Sequence, residues 1–296
     1  MTWKVAALYR FTPLENLPEL KAAILASCLE NSICGTVLLA PEGINGTIAG
    51  PPDGLDAIMQ FLDGKCGVLQ GEIKYSAAAE KPFMRMKVRL KKEIVTLRAP
   101  EANPAKCAGT YVGPRQWNEL LGDPDTVVID TRNVYETKIG MFKGAIDPGT
   151  DNFTEFKNFV KNTPALRQKK KIAMYCTGGI RCEKASAYMK AHGFDEVYHL
   201  KGGILKYLET IPADESLWQG SCFVFDKRVA IDHGLAESDH EMCYGCREPL
   251  ETEELRHPSY EPGVSCPHCV DKLTPERAQA LRMRHRQMET ERTTCG

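Results

Sequence analysis

A chain of 296 residues with 43% apolar side chains and a formal net charge of −1 has room for two domains and a small third module. The near-zero charge excludes a global electrostatic drive toward nucleic acid, so any such binding has to come from local patches. No apolar stretch reaches membrane-spanning length. Met1-Thr-Trp-Lys4 leads into an apolar run too short for a signal peptide, and a cytoplasmic protein is expected. Twelve cysteines in a chain this long, several of them clustered, point to reactive thiol and metal use in a reducing compartment.

Residues 1 to 95 alternate strand and helix patterns. Val5 to Phe11 is an apolar strand, and Leu14, Leu17, Leu20, Ile24, Leu25 and Leu29 recur at helical spacing. Gly35 to Ala40 and Ile44 to Ala49 read as strands around a Pro41-Glu42-Gly43 turn. Pro51-Pro52-Asp53 opens a second helix, and Ile73 to Ala77 is a fourth strand. This βαββαβ order predicts a ferredoxin-like α+β domain. In a further strand, Met84, Met86, Val88 and Leu90 alternate with Arg85, Lys87 and Arg89, and Lys91 continues the basic stripe. Period-two alternation is expected to bury the apolar set and expose the basic one. The basic set is either a charged edge that blocks aggregation or a contact for an RNA backbone.

Pro100, Asn103-Pro104, Gly109 and Gly113-Pro114 break all periodicity, which marks residues 96–114 as a linker. From 115 to 215 strands and helices alternate: Gln116-Trp117-Asn118 leading into a short helix, strand Val127 to Asp130, helix Thr154 to Lys161, strand Lys171 to Tyr175, helix Arg181 to Gly193, strand Val197 to Leu200 and a helix to Leu208. That order predicts an α/β domain with a parallel sheet, helices on both faces and a ligand at the carboxyl ends of the strands. Residues 216–296 form a Cys-rich tail, in which Val224 to Ala230 reads as a strand.

The run Lys171 to Cys182 carries the chemistry. A strand ends in Cys176; Thr177, Gly178, Gly179 and Ile180 make a short loop; Arg181 and Cys182 begin a helix. Such a loop aims backbone N–H groups inward at whatever the sulfur carries, so Thr177 to Ile180 read as an anion cradle; the helix terminus and Arg181 add positive charge, and Arg181 is expected to act with Cys176 by holding the loop and the anion. All three favour thiolate, the reactive form, in a site open to its target. The alternative is a buried structural cysteine, a reading in which the glycines and the arginine have no role. Asp130 and Arg132 close the neighbouring strand: Asp130 reads as a structural ion-pair partner steadying the loop, and Arg132 as within reach of a ligand. Glu136 reads as a solvated or structural partner rather than a catalytic acid. Cys182 either resolves an oxidised Cys176 or points away from it. No 2-His-1-carboxylate iron motif and no dinucleotide fingerprint for a flavin is evident.

Cys243-x2-Cys246 and Cys266-x2-Cys269 have zinc-ribbon-like spacing, since four thiolates close a tetrahedral structural zinc site. Disulfides, free thiols or redox use are the alternatives. His268 lies inside the second knuckle as a neighbour rather than a ligand. Arg277, Arg282, Arg284 and Arg286 offer further RNA contacts or a solvated helix face, and Cys295 reads as free.

Asp130-Thr-Arg132 with Glu136, the Gly140-to-Ala145 segment, Cys176-x4-Arg181 and Val197 to Gly203 resemble the rhodanese family in residues and order. Met141 stands where many rhodaneses carry a histidine. The phosphatase relatives use a loop one residue longer, which disfavours phosphatase chemistry. The whole chain is similar to the rhodanese-related tRNA uridine hydroxylases, through Leu39-Ala-Pro-Glu-Gly-Ile-Asn-Gly-Thr47, Asp147-Pro148, Tyr175-Cys-Thr-Gly-Gly-Ile-Arg-Cys-Glu183 and the paired knuckles. The resemblance implies 5-hydroxylation of the tRNA wobble uridine with molecular oxygen as co-substrate, Cys176 as active-site cysteine and the anticodon loop as partner. Chemically, the thiolate either adds to C6 of uracil or carries a persulfide. The alternative functions are a sulfurtransferase with a Cys176 persulfide and a non-catalytic RNA-binding or zinc scaffold.

Overall fold

The apolar periodicity of the first segment becomes a sheet covered by two helices. The structure, a computed structural model, describes residues 3–69 and 72–294, so Cys295 lies outside the described residues. The elements are β1 (Trp3–Phe11), α1 (Leu17–Glu30), β2 (Cys34–Ala40), β3 (Gly43–Gly50), α2 (Pro52–Cys66), β4 (Lys74–Ala78) and β5 (Met86–Leu90). The sheet order is β4-β1-β3-β2-β5, antiparallel except where β5 runs parallel to β2. Ile24 and Cys28 of α1 and Leu55, Ile58 and Leu62 of α2 meet Ala6, Leu8, Val37, Leu39, Ile44 and Ile48, giving the ferredoxin-like core.

The basic strand departs from strict alternation. Its regular part starts at Met86, and Met84 before it and Leu90 at its end are exposed, in a strand that lies at the sheet's edge. Val88 is buried, Lys87 is half-buried, and Arg85, Arg89 and Lys91 are exposed.

Residues 96–114 are less of a linker than their composition implies. Leu97, Ala99 and Ala102 are buried in the second domain's core, and β6 (Thr110–Val112) pairs in its sheet. There α3 (Pro114–Gly122), β7 (Thr126–Asp130), α4 (Val134–Thr137), β8 (Gly140–Phe142), α5 (Phe156–Asn162), β9 (Lys171–Tyr175), α6 (Ile180–Ala191), β10 (Glu196–Leu200) and α7 (Gly203–Thr210) follow. The order β6-β10-β9-β7 is parallel throughout. Ile172 and Met174 of β9 face α5 and α6, while Ala173 and Tyr175 face α3 and α7. Both faces are therefore covered, as a parallel sheet requires.

The tail contains β11 (Trp218–Gly220), paired with β8, then β12 (Cys222–Phe223) and β13 (Ala230–Ile231), β14 (Glu241–Met242) and β15 (Pro249–Leu250), and α8 (Pro275–Thr294). The strand expected over Val224 to Ala230 is instead the turn of a hairpin. The Asp226 carboxylate takes the Arg228 N–H and guanidinium, and Val229 adopts φ +63°, which folds the chain back. No helix among the described residues is long and apolar enough to cross a membrane.

The domains are clamped together by charge. Lys184 of α6 is 2% exposed and donates to both oxygens of Glu42 at 2.9 Å, to Glu93 and to the Val95 carbonyl at 3.0 Å. Glu42 lies in the Pro-Glu-Gly turn between β2 and β3, so that motif docks the first domain onto the second. A buried ammonium is tolerable only with such partners.

Candidate active site

Strand β9 carries Cys176 to the carboxyl end of the sheet, and the next residues turn into α6. Gly179 adopts φ +102°, a left-handed conformation that costs glycine little. This turns its N–H onto the Cys176 sulfur at 3.1 Å. The neighbouring loop locks the arrangement. The first N–H groups of α7 bind it, Ile204 to the Cys176 carbonyl at 3.0 Å and Leu205 to the Thr177 carbonyl at 3.1 Å. A Cβ on Gly203 would stand 2.5 Å from both carbonyl oxygens, which is why glycine occupies the Lys201-Gly202-Gly203 turn.

Electrostatics favour the thiolate. Burial alone raises the Cys176 thiol, but the Cys182 thiol, the Arg181 guanidinium and the Cys182 and Gly179 N–H groups more than reverse it and bring it down to about 5. Cys182 thus points toward Cys176. Its own thiol contacts Thr131 Oγ1 at 3.3 Å and is pushed well above the usual range by burial and the adjacent thiolate, so it remains a donor.

Arg181 is turned onto a carboxylate rather than held free for an anion, which corrects the expectation that it holds one. Its two terminal nitrogens donate to the two oxygens of Glu136, both at 2.6 Å, and Thr177 Oγ1 donates to the same carboxylate at 3.3 Å. Burial raises the Glu136 carboxyl, and Arg181 outweighs it and holds the group below its ordinary range. Glu136 is placed by a capping box at the start of α4, exchanging bonds with Asn133. The spacing Asn133-x2-Glu136 was the readable signal for this position. Its partnership with Arg181 was not readable.

Arg132 is likewise turned away from any ligand, which corrects the expectation that it reaches one. It is fully buried, bonded to Asp130 at 2.7 Å and to the Glu136 and Gly140 carbonyls, beneath Trp218 at 5.1 Å. A sealed guanidinium with every direction filled serves the frame of the loop. Asp130 is its ion-pair partner.

Cys176 itself is 1% exposed, against the expectation of an open sulfur. Side chains of the first domain lie on the loops around it. Tyr9 of β1 reaches the loop, its hydroxyl 3.0 Å from the point where a Gly179 Cβ would stand. Lys74 of β4 lies over the Tyr9 ring at 4.5 Å and against Gly202. Burial lowers the Lys74 ammonium to about 8, against the opposing pull of Cys176, Glu183 and Glu72. Glu183, raised by burial, accepts from Tyr9 and Tyr111. Sequence reasoning gave Tyr9, Lys74, Tyr111 and Glu183 no role, because nothing local marks Tyr9 and Lys74 as meeting the second domain, or Tyr111 of β6 as meeting Glu183 of α6.

In the tail, the four sulfurs of Cys243, Cys246, Cys266 and Cys269 lie within 4.8 Å of one another. Nearest pairs are 3.7 Å for 246 and 266, 3.8 Å for 266 and 269, and 3.9 Å for 243 and 269. Sulfurs about 2.3 Å from a tetrahedral zinc ion are about 3.8 Å apart, so the donor set fits such an ion. His268 is engaged by Glu254. Arg85 and Lys87 line a groove beside the tail together with Arg284, whereas Arg89, Lys91, Arg277 and Arg286 do not, and Arg282 is paired with Glu261 at 2.6 Å.

Comparison with known proteins agrees with this architecture. The UPF0176 acylphosphatase-like domain family matches residues 3–94, and the rhodanese-like domain family matches residues 114–210. The tRNA uridine(34) hydroxylase of Agrobacterium fabrum is 56% identical over 289 residues, 98% of this chain and 92% of its own. Its namesake from Rhizobium etli is 56% identical over 285 residues, 96% and 92% of the two chains. That from Mesorhizobium japonicum is 54% identical over 286 residues, 97% and 93%. By identity on this scale across nearly its whole length, the chain belongs to the tRNA uridine(34) hydroxylase family.

Proposed function

We propose that this protein hydroxylates C5 of the wobble uridine of tRNA, with Cys176 as the nucleophile and molecular oxygen as co-substrate, in the cytoplasm. The observation that carries the reading is a single sulfur held as thiolate at neutral pH by Gly179, Cys182 and Arg181. A thiolate adds to C6 of uracil and moves the C5–C6 electron pair to C5 and the O4 carbonyl. The electron-rich C5 bonds to oxygen. Two electrons and two protons from a thiol reductant then release one oxygen atom as water. Loss of the C5 proton expels the Cys176 thiolate and restores the double bond. The family membership supports uridine 34 as target.

The base has to reach a covered sulfur, so Tyr9 and Lys74 must withdraw from the loop when substrate enters. A wobble base is already unpaired, which makes the entry step mainly one of protein motion. Cys182, protonated beside Cys176, keeps the thiolate stabilised between turnovers. The four tail cysteines would hold a structural zinc ion, which supplies a rigid frame for the tail and takes no part in the reaction.

The test is reaction of the purified protein with a U34 anticodon stem-loop under isotopically heavy oxygen gas, followed by nucleoside mass spectrometry. Heavy oxygen in 5-hydroxyuridine is expected. A thiolated nucleoside would instead assign the Cys176 pocket to sulfur transfer.

A further inference from the structure

Outside the Cys176 site, a groove of about 1510 Å³ lies where all three parts of the chain meet. The first domain contributes Thr36 of β2, the segment before β5 and Lys87 of β5 itself, the second contributes one side of α4, and the tail contributes the turn after β12, the first cysteine knuckle and α8. Lys81, Arg85, Lys87, Lys227, Arg247 and Arg284 line it and enter no ion pair among the described residues. Of the carboxylates in its wall, Asp226 is taken by Arg228 at 2.6 Å and Glu248 by Lys138 at 2.8 Å, which leaves Asp151 and Glu241. The groove is therefore cationic in a protein whose net charge is −1.

Rings are interleaved with these cations. Phe225 is 58% exposed and packs edge-on against Phe223 at 5.2 Å; the Arg247 guanidinium lies over Tyr244 at 5.1 Å. Cations spaced between flat apolar faces match a chain that alternates phosphates with unstacked bases. A duplex presents no base faces, and an acidic peptide has no need of the rings. The groove also borders the reactive site through α4. Tyr135 and Lys138 face the groove, while Glu136 between them is fully buried and holds Arg181.

We propose that this groove is an RNA-binding site and that it seats the anticodon arm of the substrate, with phosphates on Arg85, Lys87 and Arg284 and loop bases stacked on Phe225 and Tyr244. The identity of the RNA rests on the function proposed above. The cationic, ring-lined surface does not.

The test is fluorescence anisotropy of a labelled U34 anticodon stem-loop with the full chain across a salt series. Charge reversal at Arg85→Glu with Lys87→Glu is expected to weaken binding at least about tenfold and to make the salt slope shallower by about two, one per lost phosphate contact. Reversal at exposed Lys106 and Lys161, which lie outside the groove, is expected to leave both unchanged. Phe225→Ala is expected to weaken binding with the slope preserved, because a ring releases no counterions. Wild-type affinity in the Arg85/Lys87 variant, equal loss in the Lys106/Lys161 control, or binding to anionic phospholipid vesicles in place of RNA would overturn the proposal. Groove-dependent RNA binding by a protein that forms no 5-hydroxyuridine would refute the proposed reaction and leave the groove assigned. Full hydroxylation by the charge-reversed protein would refute the groove and leave the reaction.

Discussion

Arg181 and Glu136 form a two-pronged ion pair, both bonds 2.6 Å, close enough to Cys176 for the guanidinium charge to favour its thiolate. The pair decides what Arg181 does. Both of its terminal nitrogens donate to Glu136, and its effect on Cys176 is the field of a fixed charge, partly offset by the carboxylate. Glu136→Gln is expected to remove that offset and lower the Cys176 pKa further. It would also cost about 3–5 kcal/mol of stability, since a buried guanidinium loses its counter-charge. Arg181→Ala is expected to raise the Cys176 pKa by about one unit or more, both by losing the cation and by leaving Glu136 unopposed. Thiolate absorbance during pH titration, with Cys176→Ser subtracted, reads both shifts, and denaturant midpoints read the stability.

The Cys176 thiol also leaves a signature in stability against pH. Its folded pKa of about 5 lies below that of the unfolded chain, so the unfolded state binds more protons between those values. The contribution is complete above the unfolded thiol pKa, about 8.5, and is lost as pH falls through about 5. In that window the wild type is expected to gain stability relative to Cys176→Ser by up to about 1.4 kcal/mol per pH unit. Cys182→Ala is expected to flatten the same slope, because it deletes a donor to the thiolate. Parallel curves for wild type and Cys176→Ser would show the sulfur to be an ordinary thiol.

The cover over the sulfur gives a kinetic test. Cys176 is ionised yet 1% exposed, so alkylation of the wild type is expected to be slow despite the low pKa. Tyr9→Ala and Lys74→Ala remove the side chains that lie on the loop from the first domain. Either is expected to speed alkylation of Cys176 at least about tenfold, with the rate still controlled by a pKa below neutrality. Mass-spectrometric mapping of the alkylated site follows it. An unchanged rate in both variants would mean that something else gates the sulfur.

The strand, loop and helix around Cys176 were legible in Lys171 to Cys182 because their chemistry is local. Glycine supplies the turn, and the helix start supplies the donors. The ferredoxin-like and parallel-sheet halves were legible for the same reason, through apolar spacing. What could not be read is what depends on docking. Lys184 gave no sign of Glu42, 142 residues away, and Tyr9 and Lys74 gave no sign of the loops they pack on beside Cys176. Arg132 looked available because its sealing against Trp218 and the Gly140 carbonyl is a tertiary fact. The Val224 to Ala230 run reads as strand by composition, and bonds donated by Arg228 to the Asp226 carboxylate bend it.

The tail gives a test independent of the thiolate. Metal analysis is expected to find about one zinc per chain, and Cys246→Ser is expected to abolish it. Chelation is expected to expose tail sites to protease while the second domain retains its cooperative unfolding, because no residue of the cluster packs in that domain's core. A metal-free protein with an intact tail would remove the zinc assignment.

The most direct measurement is the mass spectrum of tRNA nucleosides from a strain lacking this gene, complemented in turn with the wild type, Cys176→Ser and Cys176→Ala. 5-Hydroxyuridine and its derivatives are expected to return with the wild type and to stay absent with both variants at equal protein levels. Full return of the modified nucleoside with either variant would contradict the catalytic role of Cys176.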